Sequence, residues 1–456
     1  MGAAELLAAF AAKTLSPVEA VEASLDRIEK LDGELNAFCL VAVDEARAAA
    51  KESEKRWHSG EPAGALHGIS VSIKDLFDVR GWPTLMGSLA APDTPAAADA
   101  PPVARLREAG AVLIGKTTTP EWGHKGVTES RRHGITRNPW NPDMAAGGSS
   151  GGAAVALAAG MGTLALGSDG GGSCRTPASF CGVFGMKPSG RTVPAWPPSA
   201  WAHLAMAGPM ARTAGDTARM LAVIGQPDRR DPLARPAAPV GAAELETGVG
   251  GLRIGISTGL GFGKLKPETA ALVEGAAQVF TDAGASVETV DPRLDDPLDL
   301  FRTLFFSLIS QKVAAVPERL RGDLEKLVLR IAELGENVSG ADYVRAAVRA
   351  LEYAHEVEQV FENCDVLVTA ATSVAAFPVG RAWPDQDEDG DWENWTPCLY
   401  PFNIGGQPAI SVPCGFTAAG LPVGMQIVAP VGRDDLVLRA AAAFEREVGP
   451  AATPPL

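Results

Sequence analysis

Helical and strand-like patterns alternate along most of this chain of 456 residues. Residues 102–109 have a helical pattern and precede the apolar run 111–115, and residues 267–285 precede the run 286–290 in the same order. Strands that alternate with helices in this way are typical of α/β folds, in which helices cover a large sheet. Because no linker rich in Pro, Gly and Ser divides the chain, we expect a single domain over residues 1–456.

Two segments near the amino terminus carry clear local signals. Ser16 and Glu19 form a capping box, which predicts a helix that begins there and ends at about Gly33. Farther along, residues 69–73 alternate Ile and Val with Ser, which is the pattern of a half-buried strand. Lys74 then lies at the end of this strand, on its serine face.

Two segments of the second half of the chain differ from this alternation. Residues 296–362 are almost wholly helical in pattern, and we expect them to cap one side of the domain. Residues 381–395 place six acidic side chains between Trp383, Trp392 and Trp395. This second segment is either a surface loop whose Trp rings are anchored on the body or a lid beside a binding cleft.

Charge and hydropathy exclude several kinds of partner. A net charge of −15 opposes binding to the phosphate backbone of a nucleic acid. The first apolar run carries Glu5 and follows no basic region, which predicts a helix rather than a signal peptide and therefore a cytoplasmic protein. The longest apolar stretch, 153–167, is interrupted by Gly160 and Gly162 and is too short to cross a membrane.

The six cysteines indicate a reducing compartment and no structural metal. They are scattered, with no C-x-x-C pair and no clustering with histidine at the spacing of zinc ligands. We therefore predict no metal and no cofactor.

Two runs rich in Gly and Ser stand out: GGSSGG at 147–152 and SDGGGSCR at 168–175. The first leads directly into the small-residue helix pattern AAVALAA and the second follows the apolar strand pattern TLAL, so both are turns at element ends rather than linkers. Neither run has the Lys or the glycine spacing of a phosphate-binding loop.

The first run contains G-x-S-x-G twice, centred on Ser149 and Ser150, which resembles the nucleophile elbow of α/β-hydrolases. That chemistry needs a later histidine, and only His203 and His355 follow in the chain. A serine hydrolase without a good histidine needs another base, and Lys74 lies upstream of both turns.

Five segments, in order, resemble the successive signatures of the amidase signature family. They are HGISVSIKD at 67–75, AGGSSGGAA at 146–154, SDGGGSCRTPASFCGVFGMKPS at 168–189, GPMART at 208–213 and GGQPAISVPCGF at 405–416. The resemblance covers the chain nearly end to end. It implies an α/β fold with a large, mixed and twisted β-sheet covered by helices on both sides.

The resemblance also implies an amidase with a Ser, cis-Ser, Lys triad. Matching the motifs makes Lys74 the base, Ser149 the bridging serine after a cis peptide bond, and Ser173 the nucleophile that forms an acyl-enzyme. Ser150 would be a supporting donor. Because a lysine of ordinary pKa, about 10.4, is protonated at neutral pH, burial must lower the pKa of Lys74 to roughly 7 or 8.

The residues around the predicted nucleophile have roles that follow from their types. Gly170, Gly171, Gly172 and Ser173 can turn successive backbone N–H groups toward one point and form an oxyanion hole. Asp169 and Arg175 flank this turn, and we expect them to brace each other or the local backbone.

Several alternatives for the activity remain open from the sequence. Some members of the family are amidotransferase subunits that release ammonia from glutamine, and these place an Asp before an Asn-containing strand where this chain has Thr396. A catalytically silent scaffold and an α/β-hydrolase-type esterase are further alternatives. Loop tryptophans, including Trp196 and Trp201, favour hydrophobic or aryl amides, with carbamates and esters as other carbonyl substrates, and a homodimer is left open.

Overall fold

The computed structural model describes residues 1–198, 204–235, 240–385 and 395–456. The strands are β1 Phe38–Val41, β2 Ser70–Lys74, β3 Val112–Thr117, β4 Glu129–Ser130, β5 Gly134–Ile135, β6 Arg137–Asn138, β7 Asn141–Ala145, β8 Leu164–Asp169, β9 Phe184–Lys187, β10 Met206–Ala211, β11 Arg253–Ile256, β12 Ser286–Thr289, β13 Val366–Ala370, β14 Ala409–Phe416 and β15 Pro422–Val428.

The helices alternate with these strands along most of the chain. They are α1 Ala3–Ala12, α2 Pro17–Leu35, α3 Val43–Ser59, α4 Pro101–Glu108, α5 Gly151–Ala158, α6 Arg175–Cys181, α7 Ala214–Ile224, α8 Ala242–Glu246, α9 Pro267–Asp282, α10 Leu298–Ala315, α11 Glu318–Arg321, α12 Lys326–Glu336, α13 Gly340–Val360, α14 Pro401–Gly405 and α15 Asp434–Val448. A 3-10 turn covers Glu121–Gly123.

Eleven of the described strands form one sheet in the order β1-β3-β2-β8-β10-β9-β14-β15-β13-β11-β12. Strand β2 runs parallel to β3 and β8, whereas β10, β9, β14 and β15 pair antiparallel with their neighbours. The predicted α/β fold with a large mixed sheet is therefore confirmed.

Hydrophobic side chains leave both faces of this sheet. Along β3, Leu113 enters a core shared with helices such as α4, α7 and α15, while Val112 and Ile114 enter a second core with α2 and α5. Side chains of a strand alternate between faces, so a strand that supplies both cores is covered by helices on each side.

Strand β2 is more deeply buried than its sequence pattern predicts. We expected the serine face to be open to solvent, but all five residues of β2 are buried. Ser70 Oγ lies 3.3 Å from Ser24 Oγ of α2 and 3.0 Å from Thr163 Oγ1. The prediction of a half-buried strand was wrong because the serine face also packs inside the protein, where neighbouring hydroxyls satisfy Ser70.

Helix α2 begins at the capping box, where Ser16 Oγ accepts the Glu19 N–H. It continues beyond Gly33 to Leu35, and Asn36 closes it in the left-handed conformation with φ of 52°. Asn tolerates this conformation better than most residues, so the helix ends there rather than at the glycine.

The helical segment predicted at 296–362 forms α10 to α13. Side chains of α10, α12 and α13 pack in one hydrophobic core with Leu367 of β13 and Val428 of β15. These helices therefore cover one end of the sheet directly. No helix in the described ranges has both the length and the apolar character that a membrane span requires.

The acidic, Trp-bearing segment at 381–395 is described only in part, because residues 386–394, like Trp201, lie outside the described residues. The Trp395 ring is 6% exposed and packs against Phe180 and Phe377, with ring centroids 5.7 and 5.3 Å away. Trp383 is half-buried against the same cluster. A lid function for this segment stays a prediction.

Candidate active site

Lys74 lies at the carboxyl end of β2, where the parallel strands β3 and β8 also end. Its side chain is fully buried. The Nζ atom lies 2.7 Å from Ser149 Oγ, 2.9 Å from Ser150 Oγ and 2.9 Å from Ser168 Oγ. Three hydroxyl groups from two separate turns therefore meet one amine.

Burial lowers the pKa of Lys74 to about 7, and the nearby Cys174 and Asp169 oppose this shift only in part. Within the described residues no carboxylate lies within 4 Å of Lys74 Nζ. Asp75, the next residue in the chain, pairs instead with Lys116 Nζ at 2.7 Å. A buried ammonium without an ionic partner loses its hydration and gains little in exchange. A large fraction of Lys74 is therefore neutral at neutral pH.

The number of donors and lone pairs limits which hydrogen bonds the Lys74 amine can make. Ser150 Oγ lies 3.1 Å from the carbonyl oxygen of Ser168 and donates its one proton there, so it accepts from Lys74. A neutral amine has two N–H donors and one lone pair. After one donor is committed to Ser150, one donor and the lone pair remain for the hydroxyls of Ser149 and Ser168.

The turn that holds Ser149 and Ser150 lies against the turn that holds Ser173. The peptide bond between Gly148 and Ser149 is cis, and Ser150 is the N-cap residue of α5. The Ser150 N–H donates to the carbonyl oxygen of Ser173 at 3.0 Å. Ser173 lies between β8 and α6 and is half-buried in the cavity wall; among the described residues its hydroxyl makes no hydrogen bond.

The expected oxyanion donors differ in their availability. Gly170, Gly171 and Ser173 line the cavity, and their N–H groups donate to no acceptor among the described residues. The Gly172 N–H donates instead to Asp169 Oδ1 at 2.8 Å, so in this structure it is not free to bind a substrate oxygen. The reason is that the Asp169 carboxylate faces back into the turn that follows β8.

Asp169 and Arg175 form a buried ion pair beneath this turn. Arg175 Nε and Nη2 donate to the two Asp169 oxygens at 2.9 and 2.7 Å, and both side chains are fully buried. Burial alone would raise the pKa of Asp169, but Arg175 and Asn403 outweigh it and hold the pKa below its usual range. Neither residue of the pair lines the cavity.

Two further residues complete this cluster and were not predicted from the sequence. Asn403 Nδ2 donates to Asp169 Oδ1 at 3.0 Å, and Gln426 Oε1 accepts from Arg175 Nη1 at 2.6 Å. Asn403 belongs to the short helix α14 rather than to a strand. No local pattern marks either residue, because both reach the pair from distant parts of the chain.

A cavity of about 700 Å³ opens over the two serine turns. One part of its wall is aromatic: the Phe301 ring stacks on Phe305 and Tyr400, with ring centroids 5.6 and 5.1 Å away. A Cβ atom at Gly171 would lie 2.9 Å from the Phe301 ring, so this wall begins directly at the predicted oxyanion turn. Trp122, Trp196 and Trp395 also line the cavity.

Comparison with known proteins agrees with this architecture. The family model described as Amidase matches residues 19–438. The chain belongs to the amidase signature family. An acylamidase from Rhodococcus erythropolis is 36% identical over 456 residues, which cover 98% of this chain and 95% of that protein.

Two further similarities bear on the activity of this amidase signature enzyme. The structure of a bacterial aryl acylamidase of the same family superposes with a TM-score of 0.91 at 30% identity, covering 98% of this chain and 96% of that one. A glutamyl-tRNA(Gln) amidotransferase subunit from Anaeromyxobacter sp. (strain K) is 34% identical over 484 residues, covering 100% of this chain and 98% of that protein. The protein is an amidohydrolase that acts on amide C–N bonds.

The α/β-hydrolase alternative for Ser149 or Ser150 is wrong, because the chain has the amidase signature fold. Of the two histidines that this alternative required, His355 lies exposed on α13. His203 lies outside the described residues.

One group of side chains has metal-ligating chemistry. Ligand atoms of Cys39, Asp75 and His133 lie within 4.8 Å of one another, a juxtaposition that sequence spacing does not reveal. However, Lys116 already neutralises Asp75, and burial raises the pKa of the Cys39 thiol well above its usual value. Metal binding requires the thiolate, so we propose no metal at this position.

Proposed function

We propose that this amidase signature enzyme hydrolyses hydrophobic and aryl amides with Ser173 as nucleophile, Ser149 as bridging serine and Lys74 as base. One observation carries the proposal: a fully buried lysine, with no carboxylate partner among the described residues, lies 2.7 Å from Ser149 Oγ beside the cavity that Ser173 lines. Such a lysine can accept a proton at neutral pH.

The proposed reaction balances through one proton relay. Ser173 Oγ attacks the substrate carbonyl carbon, its proton passes to Ser149 Oγ, and the proton of Ser149 passes to the neutral Lys74 amine. When the C–N bond breaks, the relay runs in reverse and protonates the departing nitrogen, which leaves an acyl-enzyme on Ser173. A water molecule, activated by the same relay, then releases the acid and restores the enzyme.

The proposed relay requires a short movement of Ser173, because its hydroxyl does not bond Ser149 in the structure. A rotation of the Ser173 side chain when substrate enters is enough in principle, since hydrogen bonds in ligand-free sites are often long. We propose Gly170, Gly171 and Ser173 as the oxyanion donors. Ser150 and Ser168 would hold the amine in position, and Asp169 and Arg175 would hold the turn.

A histidine also lines the cavity and is the rival base. Burial and the adjacent Lys125 lower the pKa of His124 to about 3. An imidazole with so low a pKa is a weak base at neutral pH, whereas Lys74 is matched to it. This comparison favours Lys74.

The aromatic wall of Phe301, Phe305 and Tyr400 supports an aryl or other apolar substrate group next to the reacting carbonyl. The similarity to an acylamidase and to an aryl acylamidase points the same way. Carbamates and esters present the same carbonyl group to the oxyanion donors, and we propose them as secondary substrates.

An amidotransferase subunit is the second candidate, because a subunit of this kind is 34% identical over the whole chain. Recognition of free glutamine requires a carboxylate for its amino group. The cavity has Thr396 at the position predicted for that carboxylate, and a hydroxyl carries no charge. Release of ammonia from glutamine at a rate comparable with anilide hydrolysis would favour this candidate instead.

Labelling with a fluorophosphonate tests the assignment of the nucleophile. We expect one adduct, located on Ser173 by peptide mapping, together with hydrolysis of acetanilide-type substrates. The Ser173→Ala variant should lose both, while a Cys174→Ser variant, changed at the adjacent residue, should keep the label. An adduct on Ser149 or Ser150 would contradict the proposal.

The pH dependence of kcat/KM tests the proposed base. Lys74 is active only when neutral, and its pKa is lowered to about 7. We therefore expect kcat/KM for a neutral anilide to rise about tenfold per pH unit below this value and to level off above pH of about 8. A profile that is flat between pH 5.5 and 8.5 would mean that no group with this pKa acts as the base.

Four predictions from the sequence remain predictions. They are the single domain over residues 1–456, the homodimer, the cytoplasmic location, and the absence of a cofactor.

A further inference from the structure

One face of helix α10 forms part of the cavity wall. Phe301, Phe305, Leu308 and Lys312 follow one another at helical spacings of four, three and four residues, and Phe301, Phe305 and Lys312 line the cavity. Residues at these spacings lie on one side of a helix. The wall that begins at the ring beside Gly171 therefore ends at a lysine.

The Lys312 ammonium has an aromatic neighbour and, among the described residues, no ionic partner. Its Nζ atom lies 5.1 Å from the centroid of the Trp122 ring, and within the described residues no carboxylate lies within 4 Å of it. The nearest acidic influence is Glu121, whose two oxygens accept hydrogen bonds from Ser88 and from the Glu325 N–H. Burial lowers the pKa of Lys312 to about 8, so most of it is charged at neutral pH.

The other cavity cations differ from Lys312. Lys125 Nζ lies 2.9 Å from Glu325, and Arg230 lies 2.8 Å from Asp228, so both have carboxylate partners. Arg191 lines the cavity from the loop after β9 and is not part of the α10 face. Among the described residues, only Lys312 places a positive charge on the aromatic wall itself.

The distance from the reaction centre follows from helix geometry. Eleven residues separate Phe301 from Lys312, or about 16 Å along the axis, and the lysine side chain leans back toward the helix amino terminus. Because the Phe301 ring leans in the same direction, the ammonium lies on the order of 15 Å from the oxyanion turn. That separation suits the far end of an extended substrate.

We propose that Lys312 binds a carboxylate at the end of the substrate remote from the scissile bond, so that the enzyme prefers amides with an apolar body and a terminal acid. This inference rests on the proposed amidase site. A substrate carboxylate would supply the ionic partner that the described residues do not, and it would be bound in a partly desolvated position where a charge-assisted hydrogen bond is strong.

Matched pairs of anilides test this proposal. Two series are used: mono-anilides of dicarboxylic acids of increasing length, and N-acyl aminobenzoates. Each acid is compared with its methyl ester, which has nearly the same shape without the charge. In at least one of the two series we expect kcat/KM for the acid to exceed that for the ester by about tenfold or more. The Lys312→Met variant should reduce this ratio to about one.

Three further variants separate the possible causes. Lys312→Glu should reverse the preference, so that esters are favoured over acids. Arg191→Gln and the exposed Lys51→Met are matched losses of one positive charge elsewhere, and both should keep the preference. An equal preference for acid and ester in the wild type, or a preference that Arg191→Gln removes and Lys312→Met does not, would overturn the proposal.

The proposed amidase site can fail independently. If no anilide, charged or neutral, is hydrolysed and Ser173 takes no label, the amidase proposal itself is wrong. If neutral anilides are hydrolysed and Ser173 is labelled, but the acid preference is missing, only the assignment of Lys312 fails.

Discussion

Lys74→Ala is expected to lower kcat/KM for an anilide by roughly 10⁴-fold while the protein remains folded. The variant removes the only group next to Ser149, among the described residues, that can take up a proton at neutral pH, so neither attack nor departure of the amine can be assisted. Hydrolysis of a matched phenyl ester should fall less, because a phenolate leaves without needing a proton. Steady-state kinetics with the anilide and ester pair measures both effects.

A double variant provides the control for this prediction, because the activity losses of Lys74 and Ser149 should not multiply. Because Lys74 and Ser149 act in one relay, the double variant Lys74→Ala, Ser149→Ala should be about as slow as the slower single variant. Lys74→Met replaces the amine by an apolar group of similar length and should be as inactive as Lys74→Ala with little loss of thermal stability. Losses that multiply in the double variant would show that the two residues act separately.

Asp169→Asn is expected to lower the free energy of unfolding by about 3–5 kcal/mol. The change leaves the fully buried Arg175 guanidinium without its anion, and it also weakens the bonds that hold the N–H groups of Gly172 and Cys174. Because Ser173 lies between these two residues, activity should fall as well. Urea unfolding followed by circular dichroism gives the stability, and anilide hydrolysis gives the activity.

An exposed ion pair of similar geometry serves as the comparison. Arg253 and Asp365 lie 2.9 Å apart, but their side chains are 49% and 32% exposed. Water screens such a pair, so Asp365→Asn should cost much less stability than Asp169→Asn and should leave activity unchanged. Equal losses from the two substitutions would mean that burial of the Asp169 pair does not matter. Protonation of Asp169 should destabilise the fold in the same way as Asp169→Asn. Because the pKa of Asp169 is held low in the folded state, this loss of stability occurs only in acid.

Much of the fold could be predicted because it depends on local patterns. The capping box of Ser16 and Glu19 and the helix-strand order around β3 are properties of short segments, and the structure reproduces them. The prediction of a half-buried β2 was wrong because it used only the alternation within the strand, whereas burial depends on what packs against it. Its serines alternate as if they faced water, but both are buried, and hydroxyls from α2 and from the residue before β8 bond Ser70 inside the protein.

The candidate site also combines features that the sequence predicted with features that depend on the tertiary structure. By itself the sequence determined that Lys74 ends a strand and that Ser149 and Ser173 lie in tight glycine turns, because strand periodicity and turn chemistry are local. Only the tertiary structure decided that Lys74 is fully buried with Ser168 as a third hydroxyl neighbour, and that the Gly172 N–H belongs to Asp169. Phe301, Phe305 and Lys312 come from α10, more than 120 residues after the Ser173 turn. Such contacts depend on which surfaces pack together, and no pattern within a short segment carries that information.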